Sequence, residues 1–183
     1  MTSERWTKRI EEISNAFRKE FGGLSAAQLN WKPDTQTWSI AQNIQHLIVI
    51  NETYYPVIKQ VRDKTYKLPF IAQLGFMVQM IGKMILKAVD PSRRKKMKTF
   101  TIWEPLPTEA DTSILEQFEK HQEELKIFIT QSMDLVEAGT IISSPANRLI
   151  VYKLETAFDI IVTHEQRHFE QAKELLTSQH FGK

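Results

Sequence analysis

Residues 152–178 read YKLETAFDIIVTHEQRHFEQAKELLTS and carry a regular helical pattern. Apolar residues recur there at steps of three and four, which places them on one buried face of a helix. They are Leu154, Phe158, Ile161, Phe169, Ala172 and Leu176. The pattern predicts one long amphipathic helix from about Tyr152 to Ser178. His164 and His168 lie inside it, four residues apart, so they share a face and can offer two imidazoles to one ion.

The same periodicity predicts two long helices in the first third of the chain. The first runs from Ser3 to about Phe21, where Gly22-Gly23 ends it. The second opens at Ser39, whose spacing to Gln42 predicts a capping box. It continues to about Val61, with a kink expected at Pro56 because proline disrupts helical hydrogen bonding.

The middle of the chain predicts an extra helix, a long crossover and a further helix. Residues 70–89 are very apolar, but two glutamines and two lysines interrupt them too often for a membrane span. Residues 91–111 hold three prolines and predict an irregular crossover. The next helix begins near Asp111 to Ser113, with a capping box expected between Ser113 and Glu116, and ends near Gln131.

No segment has a pattern typical of strands, and Gly139 and Pro145 indicate only a connection before the last helix. The sequence therefore predicts an all-α fold as a single domain over residues 1–183. Its four principal helices form a bundle, with an extra helix and the long crossover after the second helix.

His46 is the natural third ligand for the pair in the last helix, because it lies in a second helix that can face them. Imidazole nitrogen suits Zn²⁺ and similar ions, and a catalytic site has three protein ligands with one position left open. The sequence therefore predicts an open metal site of His46, His164 and His168. His121, which lies among charged residues, and His180, on the terminal tail, are interpreted as non-ligands.

The string His164-Glu165-Gln166-Arg167-His168 also satisfies the zinc metalloprotease pattern, in which the glutamate is the general base. The glycine and third histidine of the extended motif are missing, which disfavours a protease. Glu165 remains a candidate catalytic base or a hydrogen-bond partner of a metal ligand, and a salt bridge is the simpler alternative. A di-iron carboxylate site is excluded, because only one Glu-x-x-His motif, Glu165 to His168, occurs.

Composition limits the remaining classes of function. The chain of 183 residues has no cysteine, which removes disulfides, thiolate metal sites and cysteine nucleophiles. No secretory signal is visible at the N-terminus, and a cytoplasmic location is expected. Residues 59–98 carry eleven basic and two acidic residues, a net +9, whereas the remainder carries thirteen and twenty, a net −7. The basic block at residues 93–96 could bind nucleic acid or an acidic membrane, but it is interpreted as solvated, so neither partner is predicted.

Several short motifs occur in an order and spacing that resembles the DinB-like superfamily, and more specifically its metal-dependent hydrolase-like and bacillithiol transferase branch. They are Trp31-Lys32-Pro33, Trp38-Ser39-Ile40, His46-Leu47 and His164-Glu165-x-Arg167-His168-x-x-Gln171. The resemblance spans essentially the whole chain. It implies an up-down-down-up four-helix bundle, commonly dimeric, with a nickel or zinc ion held by His46, His164 and His168. Relatives include enzymes that transfer low-molecular-weight thiols to electrophiles and mycothiol-dependent maleylpyruvate isomerases, and many members have no established activity.

The leading interpretation is a metal-dependent transferase that activates a low-molecular-weight thiol as a metal-bound thiolate for addition to a small electrophile. Glu165 or a metal-bound water accepts the proton. One alternative is a hydrolase that uses metal-bound hydroxide, and another is a non-catalytic metal-binding or interaction protein. The residues that bind the thiol, the choice between Zn and Ni, and the electrophile are not specified by the sequence.

The apolar segment at residues 70–89 also predicts a homodimer, formed through this helix or through the bundle face that it covers. It holds more large apolar side chains than one contact within a bundle needs. Those expected on the outside are Phe76, Met77, Met80, Ile81, Met84 and Ile85. No membrane partner is predicted.

Overall fold

The computed structural model describes residues 2–92, 98–105 and 108–181. This part of the chain is mostly helical, with a small two-stranded sheet. The helices are α1 (Glu4–Phe21), α2 (Ala26–Asn30), α3 (Ile40–Glu52), α4 (Tyr54–Arg62), α5 (Gly75–Ala88), α6 (Ser113–Gln131), α7 (Met133–Glu137) and α8 (Leu154–Leu176); the strands are β1 (Ile141–Ser144) and β2 (Asn147–Lys153). Short 3₁₀ turns cover Phe70–Gln73 and Thr101–Trp103. The basic block at residues 93–96 lies outside the described residues.

The most extensive packing between helices involves α1, α3, α6 and α8. Helix α1 contacts α6 and α8, and α3 contacts the same two helices. Their apolar side chains form two clusters, one around Trp6 and Phe158 and the other around Phe17 and Phe118. Along α3, α6 and α8 the two clusters are separated by buried polar side chains, which are Asn51, His121, Gln122 and Glu165. We call these four residues the polar layer.

Helix starts follow the predicted capping chemistry in one case and depart from it in another. Ser39 accepts a hydrogen bond from the Gln42 amide, and the Gln42 side chain accepts one from the Ser39 amide, so the predicted capping box at α3 is confirmed. The box predicted at Ser113 is wrong. Ser113 is already the first helical residue of α6, and its amide donates to the Asp111 side chain at 2.8 Å.

The predicted second helix is two helices, α3 and α4, that meet at Thr53. The break lies three residues before Pro56, which therefore sits in the first turn of α4. A proline is tolerated there, because the first amides of a helix have no partner within it. The kink expected at Pro56 is therefore not where the chain breaks, because α3 already ends at Glu52 and α4 begins at Tyr54.

The sequence predicted no strands, and this prediction is wrong. Strands β1 and β2 form an antiparallel hairpin in which Ile142 pairs with Tyr152, and a register shift occurs between Ser143 and Ser144. Strand β2 leads directly into α8, which begins at Leu154 and not at Tyr152. The error has a simple cause, since a short apolar run directly before a helix satisfies both patterns.

Helix α5 is the predicted extra helix, and it packs on β2 and α8. Its inner face is formed by Val78, Ile81 and Gly82, all of which are buried. Burial of Ile81 corrects the expectation that it would lie outside, whereas Phe76, Met80 and Met84 are exposed as predicted. None of the described helices is long and apolar enough to cross a bilayer.

Candidate metal centre

His46, His164 and His168 come together where α3 packs against α8, and we call them the histidine triad. One ring nitrogen from each lies within 4.8 Å of the other two. The Nε2 atoms of His164 and His168 are 3.0 Å apart. His46 is 2% exposed and His168 is 6% exposed, while His164 is half-buried and provides the more open side of the cluster. The structure thus brings together the three predicted ligands.

Two rings of the triad are oriented by acceptors for their other nitrogen. His46 donates from Nδ1 to the Trp103 carbonyl oxygen at 2.6 Å. His168 donates from Nδ1 to Asn43 Oδ1 at 2.7 Å. The Asn43 amide is itself fixed, because its Nδ2 donates to the Ser39 carbonyl at 2.8 Å. Both rings therefore carry their proton on Nδ1, which leaves the Nε2 lone pairs for an ion.

The folding of α3 and of the crossover explains how these acceptors reach the site. Asn43 lies one turn after the Ser39 capping box, on the same helix as His46. Trp103 arrives in the 3₁₀ turn Thr101–Trp103 and is held there by a hydrogen bond from its Nε1 to Thr53 Oγ1 at 3.2 Å. The Trp38 ring covers the cluster, with its centroid 4.8 Å from that of His46.

Burial lowers the pKa of every histidine in the triad. For His46 burial outweighs the opposing hydrogen bond to Trp103. The pKa values of His164 and His168 lie well below the usual range, first because of burial and then because of neighbouring histidines and Arg167. The three rings are therefore neutral near pH 7, which is the form that binds a metal ion.

The donor set fits a divalent ion with an open coordination position. Among the described residues, no further histidine or carboxylate joins the triad within this cluster. Two imidazole nitrogens bound tetrahedrally at about 2.0–2.1 Å lie roughly 3.3 Å from each other. The 3.0 Å between His164 Nε2 and His168 Nε2 is within a few tenths of that value. Three neutral imidazoles suit Zn, Ni and related ions.

Glu165 is fully buried but belongs to the polar layer. Its two carboxylate oxygens accept hydrogen bonds from Asn51 Nδ2 at 2.8 Å and from Gln122 Nε2 at 2.9 Å. Burial raises the pKa of Glu165 to about 7, although both amide hydrogen bonds act in the opposite direction. Its hydrogen-bond partners are thus side-chain amides on α3 and α6. The simpler expectation, that Glu165 forms a salt bridge, is not what the structure shows.

His121 and His180 lie outside the triad, as predicted. His180 is exposed, but His121 is 4% exposed, and its Nε2 lies 3.3 Å from Asn51 Nδ2. Burial lowers the pKa of His121 to about 4. The sequence contains a signal for this position, because Phe118, His121, Gln122 and Leu125 follow the spacing of one buried helix face.

The two acceptors of the triad, Asn43 and Trp103, were not predicted from the sequence. Asn43 shares a helix with His46, but it contacts a histidine 125 positions away. Trp103 contributes a backbone carbonyl, which every residue type possesses. Only the Ser39 capping box, which fixes the first turn of α3, is a sequence signal near either of them.

Comparison with known proteins identifies a family. A family model described as the DinB superfamily matches residues 9–172. Neither the curated proteins nor the solved structures gave a match.

Proposed function

Because the chain belongs to the DinB superfamily, we propose that it is a metal-dependent transferase that adds a low-molecular-weight thiol to a small electrophile. The observation that carries this proposal is the histidine triad, in which the Nδ1 protons of His46 and His168 are engaged, so that both rings carry a lone pair on Nε2. Zinc or nickel is the proposed ion, and His46, His164 and His168 are its proposed ligands.

A divalent ion, when bound, would lower the pKa of a thiol or water that occupies its open coordination position. The chain's own residues hold the rings neutral, exclude water on the buried side of the cluster and leave the His164 side accessible. The thiol has to come from outside, because the chain contains no cysteine.

Glu165 is the proposed proton acceptor. A carboxyl group whose pKa is raised to about 7 exchanges protons near neutral pH, which is what a general base requires. The competing role is structural, since both carboxylate oxygens already accept amide hydrogen bonds. Glu165→Gln separates the two roles if thiol addition is measured at matched metal content and matched stability.

We further propose that residues 1–183 form one domain with an up-down-down-up bundle at its centre. Ion pairs support a parallel arrangement of α1 and α8, because Arg5 reaches Glu155 near one end and Glu20 reaches Lys173 near the other. The hydrogen bond between Ser3 and Thr130 joins the start of α1 to the end of α6, which supports an antiparallel pair. The homodimer and the cytoplasmic location stay predictions.

The proposal is tested with a chromogenic aryl halide, in which the thiol sulfur replaces the halide and halide and a proton are released, using zinc- and nickel-loaded protein and a panel that includes bacillithiol and glutathione. Turnover is expected to require both metal and thiol and to be lost in His46→Ala. His180→Ala is the matched control, because His180 is exposed and lies outside the triad.

Two other outcomes distinguish the alternatives. Turnover of ester or amide substrates without any thiol would support a hydrolase with the same ligands. The other outcome is full metal occupancy with no turnover in any combination of thiol and electrophile. It would contradict the proposal that the protein is an enzyme, and would indicate that the ion only stabilises the packing of α3 on α8.

A further inference from the structure

The outer side of α5 exposes an unusual concentration of large apolar side chains. Phe76 is 68% exposed, Met80 54% and Met84 58%, and Phe70 in the preceding 3₁₀ turn is 74% exposed. Phe76, Met80 and Met84 repeat every four residues and therefore lie along one face of the helix. Exposed apolar residues scattered singly need no explanation, but a continuous row of them indicates a partner.

The orientation of α5 about its axis is fixed by its inner face. A Cβ atom at Gly82 would lie 3.1 Å from Thr156 Cγ2 and 3.3 Å from the Tyr152 Cβ, so the helix backbone packs closely against α8 and β2. Val78 and Ile81 fill the adjoining space against Val151. The exposed row is consequently the opposite face of a firmly packed helix.

Lysines share that outer face, and the segment that carries them has no acidic residue between Asp63 and Asp90. Lys83 and Lys87 are exposed at positions that alternate with Met80 and Met84. From residue 64 to residue 89 the chain has four lysines and no aspartate or glutamate. None of the ion pairs between described residues involves any of these four lysines. The outer α5 surface, defined as Phe70, Phe76, Met80, Lys83, Met84 and Lys87, is thus both apolar and positively charged.

We propose that the outer α5 surface docks onto an anionic lipid bilayer, with α5 lying parallel to the membrane plane. Helices that bind in this way insert large apolar side chains at the boundary between headgroups and acyl chains, while lysines contact anionic headgroups. The sequence predicted no membrane partner, because residues 70–89 were tested only as a spanning helix and the basic block at residues 93–96 was interpreted as solvated. Surface docking needs no span.

Charge favours a lipid surface over a second copy of this chain. Two copies joined through this face by a two-fold axis would bring their lysines together without a carboxylate from residues 64–89 to balance them. An anionic bilayer supplies the opposite charge to every lysine at once. The homodimer predicted from the same segment is therefore the competing outcome.

Flotation with vesicles tests the proposal on the full chain. The parent protein is expected to float with vesicles of equal parts phosphatidylcholine and phosphatidylglycerol, to stay behind with phosphatidylcholine alone, and to bind less as salt is raised. Lys83→Gln with Lys87→Gln should lower the partition coefficient about 25-fold, since each lysine near the surface contributes about 5-fold. Phe76→Ser with Met80→Ser should lower it roughly 10- to 100-fold.

Matched controls come from α6, where Ile127 is 55% exposed and the Lys120 side chain is 81% exposed. Ile127→Ser with Lys120→Gln should float like the parent. All substituted side chains are exposed, so helical content should be unchanged. Failure of the parent to float, or equal flotation with both lipid mixtures, overturns the proposal. A further result also overturns it: the parent binds no vesicles but forms a dimer, and the double variant Phe76→Ser, Met80→Ser is a monomer. The outer α5 surface is then an interface between copies of the chain.

Discussion

Asn43→Ala tests whether the orientation of His168, and not only its presence, determines metal affinity. In the parent protein Asn43 Oδ1 accepts the His168 Nδ1 proton at 2.7 Å, at a ring that is 6% exposed. Alanine removes that acceptor. The imidazole proton is then free to occupy Nε2, the atom that has to be unprotonated for an ion to bind.

The expected loss is a 10- to 100-fold weaker metal affinity, which is typical when a partner of a metal histidine is removed. This corresponds to about 1.4–2.7 kcal/mol of binding free energy. The effect exceeds the roughly 1 kcal/mol net value of an ordinary hydrogen bond, because a ring bound to a divalent ion becomes a stronger donor.

Competition against a chromogenic zinc chelator measures this affinity. Gln45→Ala is the matched control, since Gln45 lies on the same helix and its Oε1 has no hydrogen-bond partner among the described residues. Asn43→Asp retains an acceptor and should bind zinc at least as tightly as the parent. If Asn43→Ala binds zinc as tightly as Gln45→Ala does, the orientation of the His168 ring by Asn43 does not determine metal affinity.

Three further predictions follow from the same structure. Alanine in place of any one histidine of the triad should reduce bound metal in elemental analysis, whereas His180→Ala should not. In metal-free protein, Glu165→Gln should change how stability depends on pH. Between pH 4.5 and about 7 the native state keeps a proton on Glu165 that the unfolded chain has lost. The free energy of unfolding of the parent therefore falls, relative to that of the variant, as pH rises through this window. The fall is at most about 3 kcal/mol by linkage, and parallel denaturation curves at each pH would contradict it. Gly82→Leu should loosen α5 at a cost of about 1–3 kcal/mol and expose it to limited proteolysis, while Gly75→Ala, with no atom within 4 Å of the new Cβ, should not.

Local patterns made the histidine triad predictable. The spacing of His164 and His168 places both on one helix face, and Ser39 with Gln42 marks the start of the helix that carries His46. Each of these signals lies within a few residues of the feature that it predicts. The structure adds that the two helices face each other at these positions.

What the sequence did not reveal depends on contacts between distant residues. The acceptor for His46 is a carbonyl 57 positions away, and the polar layer joins Asn51 to a carboxylate 114 positions away. The hairpin escaped prediction because Ile150-Val151-Tyr152 also fits the start of α8. Only pairing with β1, which is set by the fold, distinguishes a strand from a helix there.

Use of the Trp103 carbonyl as an acceptor for His46 links the metal site to the path of the crossover. A backbone acceptor survives any substitution at residue 103 that leaves the 3₁₀ turn in place, so its loss requires movement of the chain itself. Occupancy of the site and docking of this turn against α3 therefore favour each other by the same factor, as thermodynamic reciprocity demands. An ion bound to the triad would lower the equilibrium population of the opened turn, and a ligand that pulls the turn away would weaken binding of the ion.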